Sequence, residues 1–549
     1  MADDLNKEQE QSEREEFDES LDDEALLSQI EEWETESTEA YGPLKEIQNQ
    51  NLDYYHGLQT GVETIRGTES KAVENRIFMA TETTIPIATS RLPEIEVRSG
   101  DEDEQSQIDA DALKDILGFH FENLGVQSLA ERFLRHMIIF RYGVFKVGWD
   151  KDKDDVTLDI RDPRRIRIPM FGKKISELAF VLEDLELSFT QLEAKFGHDK
   201  ADKVVEQGRG NESDDKKRKK TWTVTEVWTN ELVVWKVGAI ILDKKPNPFF
   251  KMKKDGTIKK KANFFQELTK PYVIKSLFET EESLIGDTDY IQQLIPIQDN
   301  INTQRRQIED ISAKVANPPL MIDSDVMSEE QAANITNKAG QILYGKDAAS
   351  GKIKYESPGQ VPQYLFLDLD QARAQFDNIW GIHSTTRGER QGKETLGGRQ
   401  LLRAADLGRI DLIARQLERS LDEIAEWFVQ MIKLFYTEEK SFSIIGEDGT
   451  QSIVKFTGDK VGKNVKPQVV AGSTLPKDEV SIRQEAIQLW QLGAIGIRTL
   501  YKRLKLSNIP DAINDYAETV SGRIAQQGGE TPSNEGSTPV LPPQVGGQV

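Results

Sequence analysis

The chain has 549 residues, 37% hydrophobic and 30% charged, with a formal net charge of −24, which is room for about two to four domains with real cores. It holds no cysteine, which excludes disulfides, thiolate metal sites and thiol nucleophiles and fits assembly in a reducing cytoplasm. No apolar run approaches the roughly 18–20 residues of a membrane span, and the acidic N-terminus lacks a basic-plus-apolar export signal, so neither membrane insertion nor secretion is expected.

Residues 1–39 carry 17 Asp/Glu against Lys7 and Arg14, a net of −15. Such charge predicts a solvated, disordered arm, with docking to a basic partner as the alternative. From Ala40, YGPLKEIQNQNLDYYHG reads as a short helix ending at Gly57. VENRIFMATETTIPIATSRLPEIEV follows as a helix stopped near Leu92–Pro93 and then a strand. Residues 105–124 and 127–140 give two more helical patterns, the second with Leu129, Phe133, Met137 and Phe140 three or four apart.

Strands begin at YGVFKVGWD and continue through VTLDIRD, RIRIPM and TWTVTEVWTNELVVWKVGAIILD. There Val, Ile, Thr and Trp alternate with polar residues, and Gly or Asp marks the turns. This predicts an antiparallel sheet and an α+β, mainly helical fold. Lysines at 216–220 and between Lys244 and Lys261 read as exposed turns, with contact to DNA or another anion as the alternative.

Residues 286–316 read as a helix in which Pro296 suits the first turn. Ile297, Ile301, Ile308, Ile311 and Val315 form an apolar stripe. The opposite face carries Gln298, Asn302, Arg305, Arg306 and Glu309 and is expected to border an aqueous lumen. Asn317, Pro318 and Pro319 end this helix. A compact insert follows, with a strand LMID, a short helix SEEQAANITNKAG and strands QILYG and KIKYES. Residues 363–384 return as a second helix with a stripe of Leu365, Leu369, Ala372, Phe376 and Ile379.

The loop after it interleaves Arg387, Arg390 and Lys393 with Glu389, Glu394 and several glycines. Its GERQGKET is no phosphate loop. Only three residues separate the two glycines, and Glu394 stands where a hydroxyl should hold the metal. Near-neutral charge on an acidic body would let a duplex slide, since every neutralised phosphate adds affinity that slows movement. The five histidines show no ligand spacing, so no metal, cofactor or catalytic residue is expected. Residues 398–437 give a long helix with Ile410, Ile413, Leu417, Leu421, Ile424, Phe428, Met431 and Phe435 on one face. Strands SFSII and SIVKF follow, then a helical region from Ser473–Asp478 to about Ala525 and a Gly/Pro-rich tail.

In this order, several segments resemble the portal (head-to-tail connector) proteins of tailed bacteriophages. They are NRIFMATETTIPIATSRLPEIEV, AERFLRHMIIFRYGVFKVGWD, LIPIQDNINTQRRQIEDISAKVANPPLMI, IWGIHSTTRGE with the long helix after it, and VAGSTLPKDEVSIRQEAIQLW. The resemblance covers roughly residues 40–525. It implies a structural, non-enzymatic subunit of a dodecameric ring at one capsid vertex of the virion, assembled in the bacterial cytoplasm. Double-stranded DNA would pass through its channel without sequence specificity.

By position, the resemblance implies a wing at 40–285, stem helices at 286–316 and 363–384, and a clip at 317–362 bounded by Asn317, Pro318 and Pro319. It implies a tunnel loop at 385–397, a long wing helix and strands at 398–475, and a crown at 476–525. The acidic arm 1–39 and the tail 526–549 flank these regions. Implied partners are further copies of the chain, terminase, major capsid and scaffolding proteins, and a head–tail adaptor. The competing readings are a DNA-packaging ATPase that uses GERQGKET, and a capsid scaffold or tail adaptor.

Overall fold

The computed structural model describes residues 23–59, 70–100, 103–170, 172–207, 220–249, 268–279, 283–316, 320–322, 328–330, 353–355, 361–382, 396–445, 451–462, 465–474, 479–504, 512–513 and 515–519. Its helices are α1 (Asp23–Tyr55), α2 (Arg76–Ala88), α3 (Glu104–Asn123), α4 (Val126–Phe140), α5 (Phe189–Phe196) and α6 (His198–Gln207). They continue with α7 (Tyr290–Ala316), α8 (Gln363–Trp380), α9 (Leu396–Phe435), α10 (Glu479–Gln491) and α11 (Ile497–Arg503). The strands are β1 (Ile95–Arg98), β2 (Tyr142–Asp150), β3 (Asp155–Arg161), β4 (Ile166–Arg167), β5 (Val181–Ser188), β6 (Thr221–Trp228) and β7 (Leu232–Val237). After them come β8 (Ile240–Pro246), β9 (Tyr272–Ser276), β10 (Leu320–Ile322), β11 (Ile353–Tyr355), β12 (Lys440–Ile445), β13 (Gln451–Phe456) and β14 (Lys466–Val469).

Residues 1–87, 129–146 and 159–420 make one compact unit; 88–128, 147–158 and 421–549 make a second. In the first, β4 to β8 form an antiparallel sheet whose order follows the chain. Alternation sorts its side chains. Leu182, Val227 and Val234 meet Leu26 and Ile30 of α1 on one face, while Val224 and Leu242 meet Leu192, Ala201 and Val204 of α5 and α6 on the other.

The helix α1 corrects the expectation of a disordered arm over 1–39. From Asp23 onward that segment is helical, and residues 1–22 lie outside the described residues. Its acidity masks a stripe at three- and four-residue spacing (Leu26, Ile30, Ser37, Tyr41, Leu44, Gln48 and Asn51), all buried. Trp33 stacks on Phe180 at 4.9 Å, and Glu34 accepts a 2.7 Å ion pair from buried Lys236 of β7. Burial of that stripe outweighs the repulsion suggested by net charge. The helix also runs through Gly42-Pro43 instead of starting beside it.

A second network ties this sheet to β2 and β9. Lys146 Nζ lies 2.5 Å from Glu183 and 2.7 Å from Glu226, a directly opposed cross-strand pair. The Tyr272 hydroxyl donates to Glu183 at 2.7 Å, and Trp228 Nε1 donates to Glu226 at 2.6 Å. Two buried like charges side by side are tolerable only with such partners.

In the second unit, the half of α9 beyond Ser420 buries Leu421, Ile424, Phe428 and Met431, with Phe435 half-buried. Rings of Phe119, His120 and Phe121 from α3 meet Phe428 and Phe442. The Tyr436 hydroxyl bonds to Asp155 at 2.7 Å and to buried His120 at 3.1 Å. The helical region expected from Asp478 to about Ala525 is broken. Among the described residues it comprises α10, a turn with Gly493 at φ +70°, α11, and helical residues at 512–513 and 515–519. Glycine takes that left-handed conformation freely and so ends α10.

Candidate functional site, a strapped helix pair

Just before α7 stands Asp289, whose carboxylate accepts from the Gln292 backbone N–H at 2.8 Å and from Asn51 at 3.2 Å. Arg141 stands 3.5 Å away. Burial pushes the Asp289 carboxyl above its ordinary range. Pro296 is not in the first turn. It lies inside the helix at an exposed position, where its missing N–H removes the intrahelical bond to the Gln292 carbonyl.

The helix α8 packs along α7. Leu365, Leu369, Ala372 and Phe376 are buried, as are Ile291, Leu294, Ile301 and Ile308 of α7, and Gln304 bonds Asp368 across the pair. The ends of the expected stripes differ. Val315 and Ile379 are exposed, at 42% and 43%, and Trp380 is buried in place of Ile379. The reason is aromatic. Trp380 stacks on Tyr290 at 5.0 Å and donates from Nε1 to Thr84 at 2.9 Å, so the helix turns toward that contact.

The polar face of α7 corrects the expectation of a lumen lining at three of five positions. Gln298, Asn302 and Arg306 are buried, at 0%, 1% and 5% exposure, beneath the irregular segment 70–75. Gln298 accepts from the Arg76 backbone N–H at 3.1 Å and donates to the Glu74 carbonyl at 2.7 Å. Asn302 accepts from the Glu74 backbone N–H at 3.0 Å and donates to Gln59 at 2.6 Å. Arg306 donates to the carbonyls of Ala72, at 3.0 Å, and Gln59, at 3.2 Å. Side chains of a helix here satisfy a strap's backbone as a neighbouring strand would.

The strap reaches α8 as well. Arg373 grips Glu74 through Nε at 2.8 Å and Nη2 at 2.5 Å, and Arg76 Nη2 lies 2.6 Å from Asp377. Burial opposes ionisation of Glu74, yet the hydrogen bonds and charges of Arg373 and Arg76 prevail and hold its carboxyl below the ordinary range.

Arg305 and Glu309 keep more exposure, 45% and 40% at the side chain, and pair at 3.2 Å. Glu309 also accepts from Ser70 at 2.8 Å. Of the insert, β10 and β11 form an antiparallel pair, with Leu320 opposite Tyr355. The remaining candidates, Arg387, Glu389, Arg390, Lys393 and Glu394 of the loop and Asn317, Pro318 and Pro319 at the insert boundary, lie outside the described residues. So do QILYG, most of SEEQAANITNKAG and most of the lysine clusters. Among the described residues no helix is long and apolar enough to cross a membrane.

Sequence reading missed the strap. The available sign was chemical: Gln298, Asn302 and Arg306 recur every four residues, whereas solvated helix faces favour Glu/Lys pairs at that spacing. Residues 290–484 match the family model for phage P22-like portal protein, which supports the resemblance noted in the sequence. The matched stretch is 195 of the 549 residues and begins at Tyr290, the first residue of α7. No curated protein matches the chain.

Proposed function

We propose that this chain, whose residues 290–484 carry a P22-like portal match, is the subunit of a phage portal, a structural ring at one capsid vertex through which duplex DNA is packaged and ejected. The observation that carries this is where the match falls. It takes in the helix pair, the hairpin-bearing insert and the long helix α9, the parts suited to repeat side by side around an axis. The match favours neither the packaging ATPase nor the scaffold or tail adaptor.

In this reading α7 and α8 are the stem, 317–362 the clip that meets terminase and later the head–tail adaptor, and 385–397 a tunnel loop against the duplex. Arg305 and Glu309 remain candidates for the channel wall. Gln298, Asn302 and Arg306 serve the strap instead. Side-by-side closure needs an apolar flank for the next copy, and α8 offers Tyr364, Phe366 and Leu367 at 66%, 46% and 70% exposure. Twelve copies follow from the resemblance alone. Mass photometry of the purified chain, with negative-stain images, tests the reading. Closed rings of near twelve copies support it, and a chain that stays monomeric or dimeric even beside capsid and scaffolding proteins refutes it.

A further inference from the structure

The helix pair has an open face without charge. On α7, Gln293 and Asn300 are exposed and Gln307 is half-buried, in a row at three- and four-residue spacing that Pro296 and Thr303 complete. On α8, Gln371, Gln375 and Asn378 are exposed on one face. No Asp, Glu, Lys or Arg falls on either row, in a chain that is 30% charged. The charges of the same stretches are engaged elsewhere. Asp299 accepts from Tyr54 at 2.7 Å, Arg305 pairs with Glu309, Arg373 with Glu74 and Asp377 with Arg76.

Residues two apart on a helix stand about 200° apart round its axis. Asn300 therefore lies nearly opposite Asn302, and Gln371 and Gln375 nearly opposite Arg373, so both rows face away from the strap. A polar seam joins them. Gln304 donates to Asn300 at 3.2 Å and to Asp368 of α8, and Gln371 follows Asp368 by about one turn.

Among the described residues, the side chains of Gln307, Gln371 and Gln375 have no hydrogen-bond partner. An amide can donate to a phosphate oxygen, yet it brings no cation, so it releases no counterions and adds none of their salt-dependent affinity. A helix face meant for water favours Glu/Lys pairs. One meant for a neighbouring protein is apolar at its centre, as α8 is at Tyr364, Phe366 and Leu367. The amide rows are neither. From Gln293 to Gln307 the row rises about 21 Å, or roughly six base pairs of duplex at about 3.4 Å each.

We propose that these amide rows are a duplex-facing wall, along which double-stranded DNA slides without being held. This rests on the portal reading and selects, of the two sides of the pair, the one away from Arg305 and Glu309.

The test uses rings of the full-length chain carrying Asn300→Lys or Gln371→Lys. They are mixed with a linear duplex, or with the same duplex closed into a circle, which cannot thread a ring. Each lysine is expected to tighten linear binding about tenfold or more at low salt and to steepen its loss as salt rises. Binding of the circle stays within twofold of wild type. Equal gains on linear and circular DNA overturn the proposal, because the face is then on the outside of the ring. No gain on either overturns it as well. So does loss of rings with both variants, since protein then covers the face. A wild-type chain that forms no rings, even beside capsid and scaffolding proteins, refutes the portal reading itself, a separate outcome.

Discussion

Glu74 and Arg373 meet as a two-pronged ion pair, with Nε and Nη2 of the guanidinium 2.8 and 2.5 Å from the two carboxylate oxygens, and 299 residues separate them in sequence. This pair fastens the strap to α8, while Gln298, Asn302 and Arg306 fasten it to α7. Because both partners are only partly exposed, its energy survives solvent screening better than that of a surface pair. Glu74→Gln is expected to cost about 1–2 kcal/mol in chemical denaturation. Arg373→Gln should cost a similar amount, and the double variant less than their sum.

The buried amide at Asn302 separates the strap from a lumen lining. Replacing it with leucine removes the partners of the Glu74 N–H and of the Gln59 side-chain oxygen, at about 2–3 kcal/mol or more. Ile301→Val beside it removes one methyl and should cost about 0.5–1.5 kcal/mol. Denaturation midpoints should therefore rank Asn302→Leu as the more damaging. A residue facing open water would show the reverse order.

Much of this organisation was legible in the residues. The stripes of the helix pair and of α9 show because burial of one face imposes three- and four-residue spacing, and β6 to β8 show through Val, Ile, Thr and Trp alternating with polar residues, whereas β5 was not read from the sequence. Two features stayed hidden for a physical reason. The helix α1 is stabilised by contacts with a sheet 140 or more residues away, which local charge does not report. The strap is held by side chains bonding backbone, a pairing that leaves no hydrophobic period. The stop at Gly493 lay in the sequence, but a single glycine inside a helical pattern is compatible with continuation.

His136 sets an acid limit on the first unit. Burial first, then repulsion from Arg132 and Arg164, lowers its imidazole from 6.5 to about 4, against the opposing pull of Asp162. The unfolded chain binds that proton near pH 6.5 and the folded chain only near 4. Stability therefore falls as pH drops through that window, by up to about 3 kcal/mol. His136→Gln should flatten the pH dependence of denaturation between 6.5 and 4. An unchanged slope would contradict the assignment.

Leu367 and Tyr364 are exposed on α8, and in the proposed ring they face the next copy. Leu367→Asp and Tyr364→Asp are expected to leave the unfolding midpoint of the monomer within about 0.5 kcal/mol of wild type. Both should reduce the ring fraction in light scattering. Loss of monomer stability instead would place these side chains in the chain's own packing.

The most direct test is a cryo-electron microscopy reconstruction of assembled particles viewed along their axis. The account predicts a closed ring of copies around an open channel, with segment 70–75 lying on the helix Tyr290–Ala316 in every copy. Particles without an open axis, or rings in which Gln298, Asn302 and Arg306 line the channel with the strap elsewhere, would contradict it.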